Sequence, residues 1–257
     1  MCELFAISSA VTFQPEEILR LFFSHSKDNP NGWGLAIFHT HGVNLEKEPV
    51  KAKDSSYLKY RLHAIKDARN LFAHIRKATR GNISYENCHP FIMNDCDGRT
   101  WTLMHNGTMF NCPKLDPYVQ IQEGTTDSER ILCYIIDRMN ASISLLGRGL
   151  TTEERFKLLD EIICDISDRN KLNLIIFDGD IFYIHTNYKN SLYVHHDVNM
   201  AQFATVPLDY RVWLPVPFTT LLAYKDGRQI MTGTCHGHEY IDNPEDMQFM
   251  YLDYLEY

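Results

Sequence analysis

The sequence lacks any CxxC pair, although it carries seven cysteines (2, 88, 96, 112, 133, 164 and 235). An odd, scattered set argues against a disulfide framework and against a zinc centre of four thiolates. A cytoplasmic, reducing compartment fits this usage. Positive charge is also short. Against 33 Asp and Glu stand 25 Lys and Arg, a net charge of −8, so no basic field exists to hold a phosphate backbone and nucleic acid is not expected as a partner. No apolar run approaches the roughly 18 residues of a membrane span, and internal repeats, low-complexity tracts and linkers are missing. The apolar stretch from Leu4 to Phe13 follows Glu3, has no Lys or Arg before it, and leads to Glu16-Glu17 without a small-residue cleavage pattern. It reads as a buried strand, not a secretory signal. What is present is an ordinary globular composition, 44% hydrophobic and 23% charged over 257 residues, enough for one large core or two small ones.

Periodicity divides the chain into three stretches. Residues 3–12 read as a strand, and Pro15-Glu16-Glu17 open a helix to about Ser24, with proline early and acids in the first turn. Gly32-Trp33-Gly34 leads into a strand at Leu35–Phe38, with a hairpin partner near 43–50; two glycines around a tryptophan imply a backbone that something approaches closely. Ser55–Arg69 is amphipathic, with Leu58, Leu62 and Ile65 on one face. Strands at Leu71–Ile75 and Thr100–Met104 end in polar, glycine-bearing segments, where a site would be assembled. Helices are predicted over Asp127–Met139, introduced by Thr125-Thr126, and from Thr151/Thr152 to about Ile166. Beyond Leu172 only strands follow (172–177, 181–185, 192–194, 203–206, 221–224 and 229–231), with hairpin turns at Asp178-Gly179 and Asp226-Gly227. Strands, then helices, then strands suggest one layered unit.

Cys2 is the candidate around which the rest is arranged. If Met1 were removed, one residue would be both amino terminus and thiol. A thiol near ~8.5 and an α-amino group near ~7.7–8.0 both titrate close to cellular pH, and an N-terminal nucleophile with its own amine as base is a chemical solution to amide cleavage. Four further features stand in order behind it: His74-Ile75-Arg76-Lys77-Ala78-Thr79-Arg80-Gly81, Asn87-Cys88-His89-Pro90-Phe91, His105-Asn106-Gly107 and Thr126-Asp127-Ser128-Glu129. Each is weak alone. Together they closely resemble the glutamine amidotransferase domain of type 2, a branch of the N-terminal nucleophile (Ntn) hydrolases, and most of all its small standalone bacterial members of the YafJ type. The matching motifs span about residues 2–140, and the later strands suit the second sheet of that fold.

The resemblance implies an α+β class, a four-layer αββα sandwich of two mainly antiparallel sheets between helix layers, as a single domain over residues 1–257. It also implies that Cys2 attacks the γ-amide of glutamine or a γ-glutamyl amide to give a thioester, with Asn106 and Gly107 as oxyanion donors. Arg76 would take the α-carboxylate as a fork and Asp127 the α-ammonium. Thr79 and Gly81 would shape the same pocket, and Trp33 and Gly34 the nucleophile's side of it. His105 is placed at the substrate end, and with His89-Pro90 reads as a turn or supporting residue, because no imidazole base is needed when the amine serves. No cofactor and no metal are implied. The partner is a small-molecule substrate, with an ammonia-accepting protein as a further possibility and no membrane. Three functions are carried forward: glutamine amidotransferase or amidohydrolase, a γ-glutamyl peptide or conjugate hydrolase with water as sole acceptor, and a non-catalytic glutamine-binding sensor or subunit.

Two other clusters read as structural. Cys235-His236-Gly237-His238-Glu239 resembles a short metal-binding tract but has no distant ligands, so it reads as a surface loop. Asp95-Cys96-Asp97-Gly98 reads as a turn between strands, without the downstream Glu of a calcium loop. Glu239 to Glu256 reads as a solvated acidic segment with aromatic anchors.

Overall fold

The computed structural model describes residues 2–40, 42–79, 81–110 and 112–243. Arg80, the processing of Met1 and most of the acidic segment lie outside these residues. In chain order come β1 (Glu3–Ser9), α1 (Glu16–Ser24), β2 (Trp33–His39), β3 (Gly42–Glu48), α2 (Ser56–Ala64), β4 (Asn70–Ile75), β5 (Phe91–Asn94) and β6 (Thr100–His105). Two long helices follow, α3 (Asp127–Leu146) and α4 (Thr152–Ser167). The chain continues through β7 (Asn173–Phe177), β8 (Phe182–Thr186), β9 (Tyr193–Asp197), β10 (Met200–Ala204), β11 (Leu214–Pro215), β12 (Leu222–Lys225) and β13 (Arg228–Thr232).

The strands form a seven-stranded sheet, ordered β11-β9-β10-β1-β4-β2-β3, and a six-stranded sheet, ordered β13-β12-β8-β7-β6-β5. Neighbours pair antiparallel. Side-chain alternation explains the layers. Phe5 and Ile7 of β1 pack on Leu19 and Phe22 of α1, whereas Leu4 and Ala6 face Met104 and Ile175 of the other sheet. On β6, Trp101 and Leu103 meet Ile131, Ile135 and Ile162 of α3 and α4. Three apolar layers thus separate four layers of structure, αββα. Because the central strands are buried on both faces, they read as continuous apolar runs rather than alternating ones.

Differences from the sequence reading are local. The helix predicted over Ser55–Arg69 stops at Ala64, because Ile65 turns to extended backbone and Ala68 bridges Phe13. β5 falls in what reads as a loop, since four residues after a proline carry almost no periodicity. The strand predicted at 203–206 lies at Met200–Ala204, where the register with β1 requires it. Asp95-Cys96-Asp97-Gly98 is the β5–β6 turn, with Asp95 Oδ1 accepting from the Asp97 and Arg99 N–H groups. No helix of the described residues is long and apolar enough to cross a membrane.

Candidate active site

Antiparallel pairing brings the candidates to one end of the sandwich. Glu3 pairs with Ile75, so the residue before β1, Cys2, lies beside the residues after β4, Arg76 and Lys77. In the second sheet His105 pairs with Leu174, which sets Asn106 and Gly107 beside the start of β7. The space between the sheets opens here into a cavity of about 490 Å³ whose wall includes Cys2, Arg76, Thr79, Asn106, Gly107 and Asp127.

The Cys2 thiol is held by Lys77, whose N–H donates to Sγ at 3.3 Å and whose carbonyl lies 3.4 Å from Sγ. Burial pushes this thiol above its usual range; the Lys77 backbone and the Arg76 guanidinium pull in the opposite direction. Because the neutral form is favoured, alkylation of Cys2 by iodoacetamide, followed by peptide mass mapping, is expected to keep accelerating beyond pH 9. A plateau below pH 8 would contradict this.

Two donors face the cavity without partners. Neither the Asn106 side-chain amide nor the Gly107 N–H has a hydrogen-bond partner among the described residues. Alternation along the strand accounts for Gly107. Asn106 N–H donates to Asn173 O at 2.9 Å and Thr108 N–H to Lys171 O at 2.9 Å, so the N–H between them points away from β7. A Cβ at position 107 would come within 1.8 Å of Lys171 O, which excludes any other residue. Two donors without partners among the described residues, lining the same cavity as a thiol, suit the charge of a tetrahedral oxyanion.

Arg76 is almost fully buried, and its guanidinium donates to Asn82 O at 2.8 Å and Gly81 O at 3.1 Å. Gly81 thus acts through its carbonyl, fixing Arg76, and lies behind the cavity wall. Asp127 opens α3 beneath Thr126, whose hydroxyl accepts from Glu129 N–H, and Asp127 Oδ2 accepts from Met109 N–H at 2.8 Å. Asn87, in the loop before His89-Pro90, ties these parts together: its Nδ2 donates to Asn82 O and Thr125 Oγ1, and its Oδ1 accepts from Thr125 N–H.

Of the three histidines here, His89 and His105 line the cavity and His74 is fully buried outside it. His105 Nε2 lies 3.1 Å from Lys171 O, which can only accept, so the proton is on Nε2 and Nδ1 accepts from Ser128 Oγ at 3.0 Å. His74 and His89 stack with ring centroids 4.3 Å apart. Burial holds all three below the usual imidazole range, His74 down to about 3. They are neutral at physiological pH.

Two expected positions are displaced from the cavity. Trp33 is fully buried between sheet and helix: its ring packs on Phe23 and Tyr57 and its Nε1 donates to the Glu48 carboxylate at 3.0 Å. It belongs to the core because the β2 register turns it away from the inter-sheet space. Gly34 faces the other way, and a Cβ there would meet His89 O at 1.8 Å. What approaches this glycine is backbone, not substrate.

The sequence reading missed a further part of the cavity's lining. Lys171 precedes β7, Tyr188 follows β8, and Tyr240 and Asp242 belong to the segment after β13. That segment is not a free loop. His236 N–H donates to Thr219 O, His236 Nε2 lies 3.0 Å from His185 Nε2, and Tyr240 N–H donates to Asn187 O. No motif announces these residues; the aromatic character of the tail was the only signal.

The family profile described as "Glutamine amidotransferases class-II" matches residues 1–198. An uncharacterized protein of Methanocaldococcus jannaschii is 32% identical over 199 residues, 76% of this chain but 53% of its own. The chain therefore spans about half the length of that relative. YafJ of Escherichia coli K12, provisionally named a glutamine amidotransferase, is 27% identical over 186 residues, 70% of either chain. Glutamine phosphoribosylpyrophosphate amidotransferase from B. subtilis superposes with a TM-score of 0.68 over 91% of this chain and 49% of that one, at 16% identity, a likeness of fold.

Proposed function

From a chain that belongs to the class-II glutamine amidotransferases, we propose that Cys2, made N-terminal by removal of Met1, cleaves the γ-amide of glutamine or of another γ-glutamyl amide. Sγ attacks the γ-carbonyl carbon and its proton passes to the freed α-amine. The carbonyl oxygen becomes an oxyanion received by the Asn106 amide and the Gly107 N–H. As the carbon–nitrogen bond breaks, the α-ammonium returns the proton to the departing amine. The γ-glutamyl thioester then takes up water, the carbon–sulfur bond breaks, and glutamate leaves with the thiol restored.

Specificity for the glutamyl part is assigned to Arg76 and Asp127, which offer a cation and an anion to the substrate's α-carboxylate and α-ammonium. The observation that carries this reading is the pair of unpartnered donors, Asn106 and Gly107, lining the same cavity as the Cys2 thiol.

The test is covalent. Protein shown by intact mass to lack Met1 is treated with a diazo-ketone analogue of glutamine, and Cys2 is expected to carry the label while glutamine protects it. Label-free Cys2 in Met1-free protein that still hydrolyses glutamine would assign the chemistry to another residue.

A further inference from the structure

The cavity has two chemically different sides, and sheet order places the oxyanion donors between them. α3, with Asp127, packs over β5 and β6. On the other side of β6, the residues at the same sandwich end run outward in the order β7, β8 and the segment after β13, contributing Lys171, Tyr188, Tyr240 and Asp242. Arg76 and Asp127 are taken by the glutamyl α-groups in the proposed reaction, which leaves Lys171 and its neighbours as the cavity lining available to the departing amine.

This second side is built around a buried cation. The Lys171 side chain is only 7% exposed, whereas its partner Asp242, at 3.3 Å, is 50% exposed. The ammonium sits 3.6 Å from the Tyr188 ring centroid and 5.1 Å from that of Tyr240. Tyr188 Oη also donates to Asp242, and Tyr240 stacks on Phe110 at 5.7 Å with rings 2° from parallel. Such a cation requires an anion, and three donors allow it to hold a second acceptor beside Asp242. Burial draws the Lys171 ammonium down from its usual range and Asp242 opposes this. Ammonia has no use for such a wall: it carries no negative charge for Lys171 and no surface for two aromatic rings. Lys171 and Tyr188 lie within the family match, which ends at residue 198, whereas Tyr240 and Asp242 lie beyond it.

We propose that Lys171, Tyr188, Tyr240 and Asp242 form a leaving-group subsite for an amine that carries its own carboxylate, so that the preferred substrate joins an amino acid or short peptide through its amino group to the γ-carboxyl of glutamate. Lys171 takes the carboxylate, and the two tyrosines cover the rest of the leaving group. The inference rests on Cys2 as nucleophile; the bond formed and broken at the γ-carbon is the same, with an amino acid leaving in place of ammonia.

The test compares kcat/KM for glutamate release from γ-glutamyl-alanine, γ-glutamyl-alaninamide and glutamine, using Met1-free protein. The acid is expected to exceed its amide by about tenfold or more, the size of a charge-assisted hydrogen bond, and to exceed glutamine. In Lys171→Met the acid-to-amide ratio falls towards one; in Asp242→Asn, on the half-exposed segment, it rises, because the competing carboxylate is neutralised. A merely structural pair would lower all three substrates alike in both variants and leave the ratio where it was. A ratio near one in the unaltered protein, a ratio that survives Lys171→Met, or a preference for glutamine overturns the subsite. If Lys171→Met does not fold, the unaltered protein and Asp242→Asn decide the matter. Cleavage of glutamine with Cys2 labelling, but without discrimination between acid and amide, overturns the subsite alone; no glutamate from any substrate and no labelling overturns the Cys2 reading and the subsite together.

Discussion

Cys2→Ala is expected to lower kcat for glutamate release by at least about a thousandfold, since loss of a covalent nucleophile costs up to about 10⁶ in hydrolases where it has been removed. The methyl group keeps the α-amine and the backbone but leaves nothing to form a thioester. Because the side chain precedes β1 and, among the described residues, exchanges hydrogen bonds only with Lys77, thermal unfolding should move little, so the loss can be read as chemistry. Steady-state glutamate release beside a melting curve measures both. Activity within tenfold of the unaltered protein would remove Cys2 from the mechanism.

The second large effect belongs to Asn106. Asn106→Ala deletes one of two oxyanion donors, and such a donor contributes about 2.7–4 kcal/mol in the transition state. That corresponds to a fall in kcat of about 10²–10³, with KM within a few-fold of its starting value, since the ground-state carbonyl binds the donors less strongly than the oxyanion does. The amide has no hydrogen-bond partner among the described residues, so its removal orphans no other group. Were KM to rise with kcat intact, Asn106 would be a binding residue and the oxyanion would be held elsewhere. Asn106→Asp tests the sign of the charge, because a carboxylate repels the oxyanion and should be at least as damaging.

The two halves of the site were unequally legible in the sequence. Cys2, Arg76, Asn106-Gly107 and Asp127 are readable because each sits in a short local motif, and the proposed amide cleavage calls for those residue types together. The αββα class followed from the family resemblance, whereas the apolar runs alone gave only a layered unit of strands, helices and strands; helix α3 was legible from Thr125-Thr126 and the core spacing of Ile131, Leu132, Ile135 and Ile136. Trp33 was misplaced for a reason of register: a residue next to glycine in a motif reads as exposed to ligand, but only the pairing of β2 with β4 decides which face it occupies. The Lys171 wall was illegible because its members come from three separate connections, brought together by sheet order alone. Nothing near Lys171 in the chain tells of Tyr240, whose backbone is held by Asn187 and whose ring rests on Phe110. His105 illustrates the intermediate case. Its place in a motif was readable, while its task, holding the Lys171 carbonyl and Ser128 with its two nitrogens, required the coordinates.

The segment after β13 bears on the order in which the protein is made. Cys2 stands before β1, yet the cavity it lines also includes Tyr240 and Asp242, which follow β13. A nascent chain must therefore expose everything up to this segment before its cavity can close. A chain halted after β12 would contain every residue proposed for the reactive centre and still lack part of the enclosure around it, so the proposed site is complete in sequence long before it is complete in space.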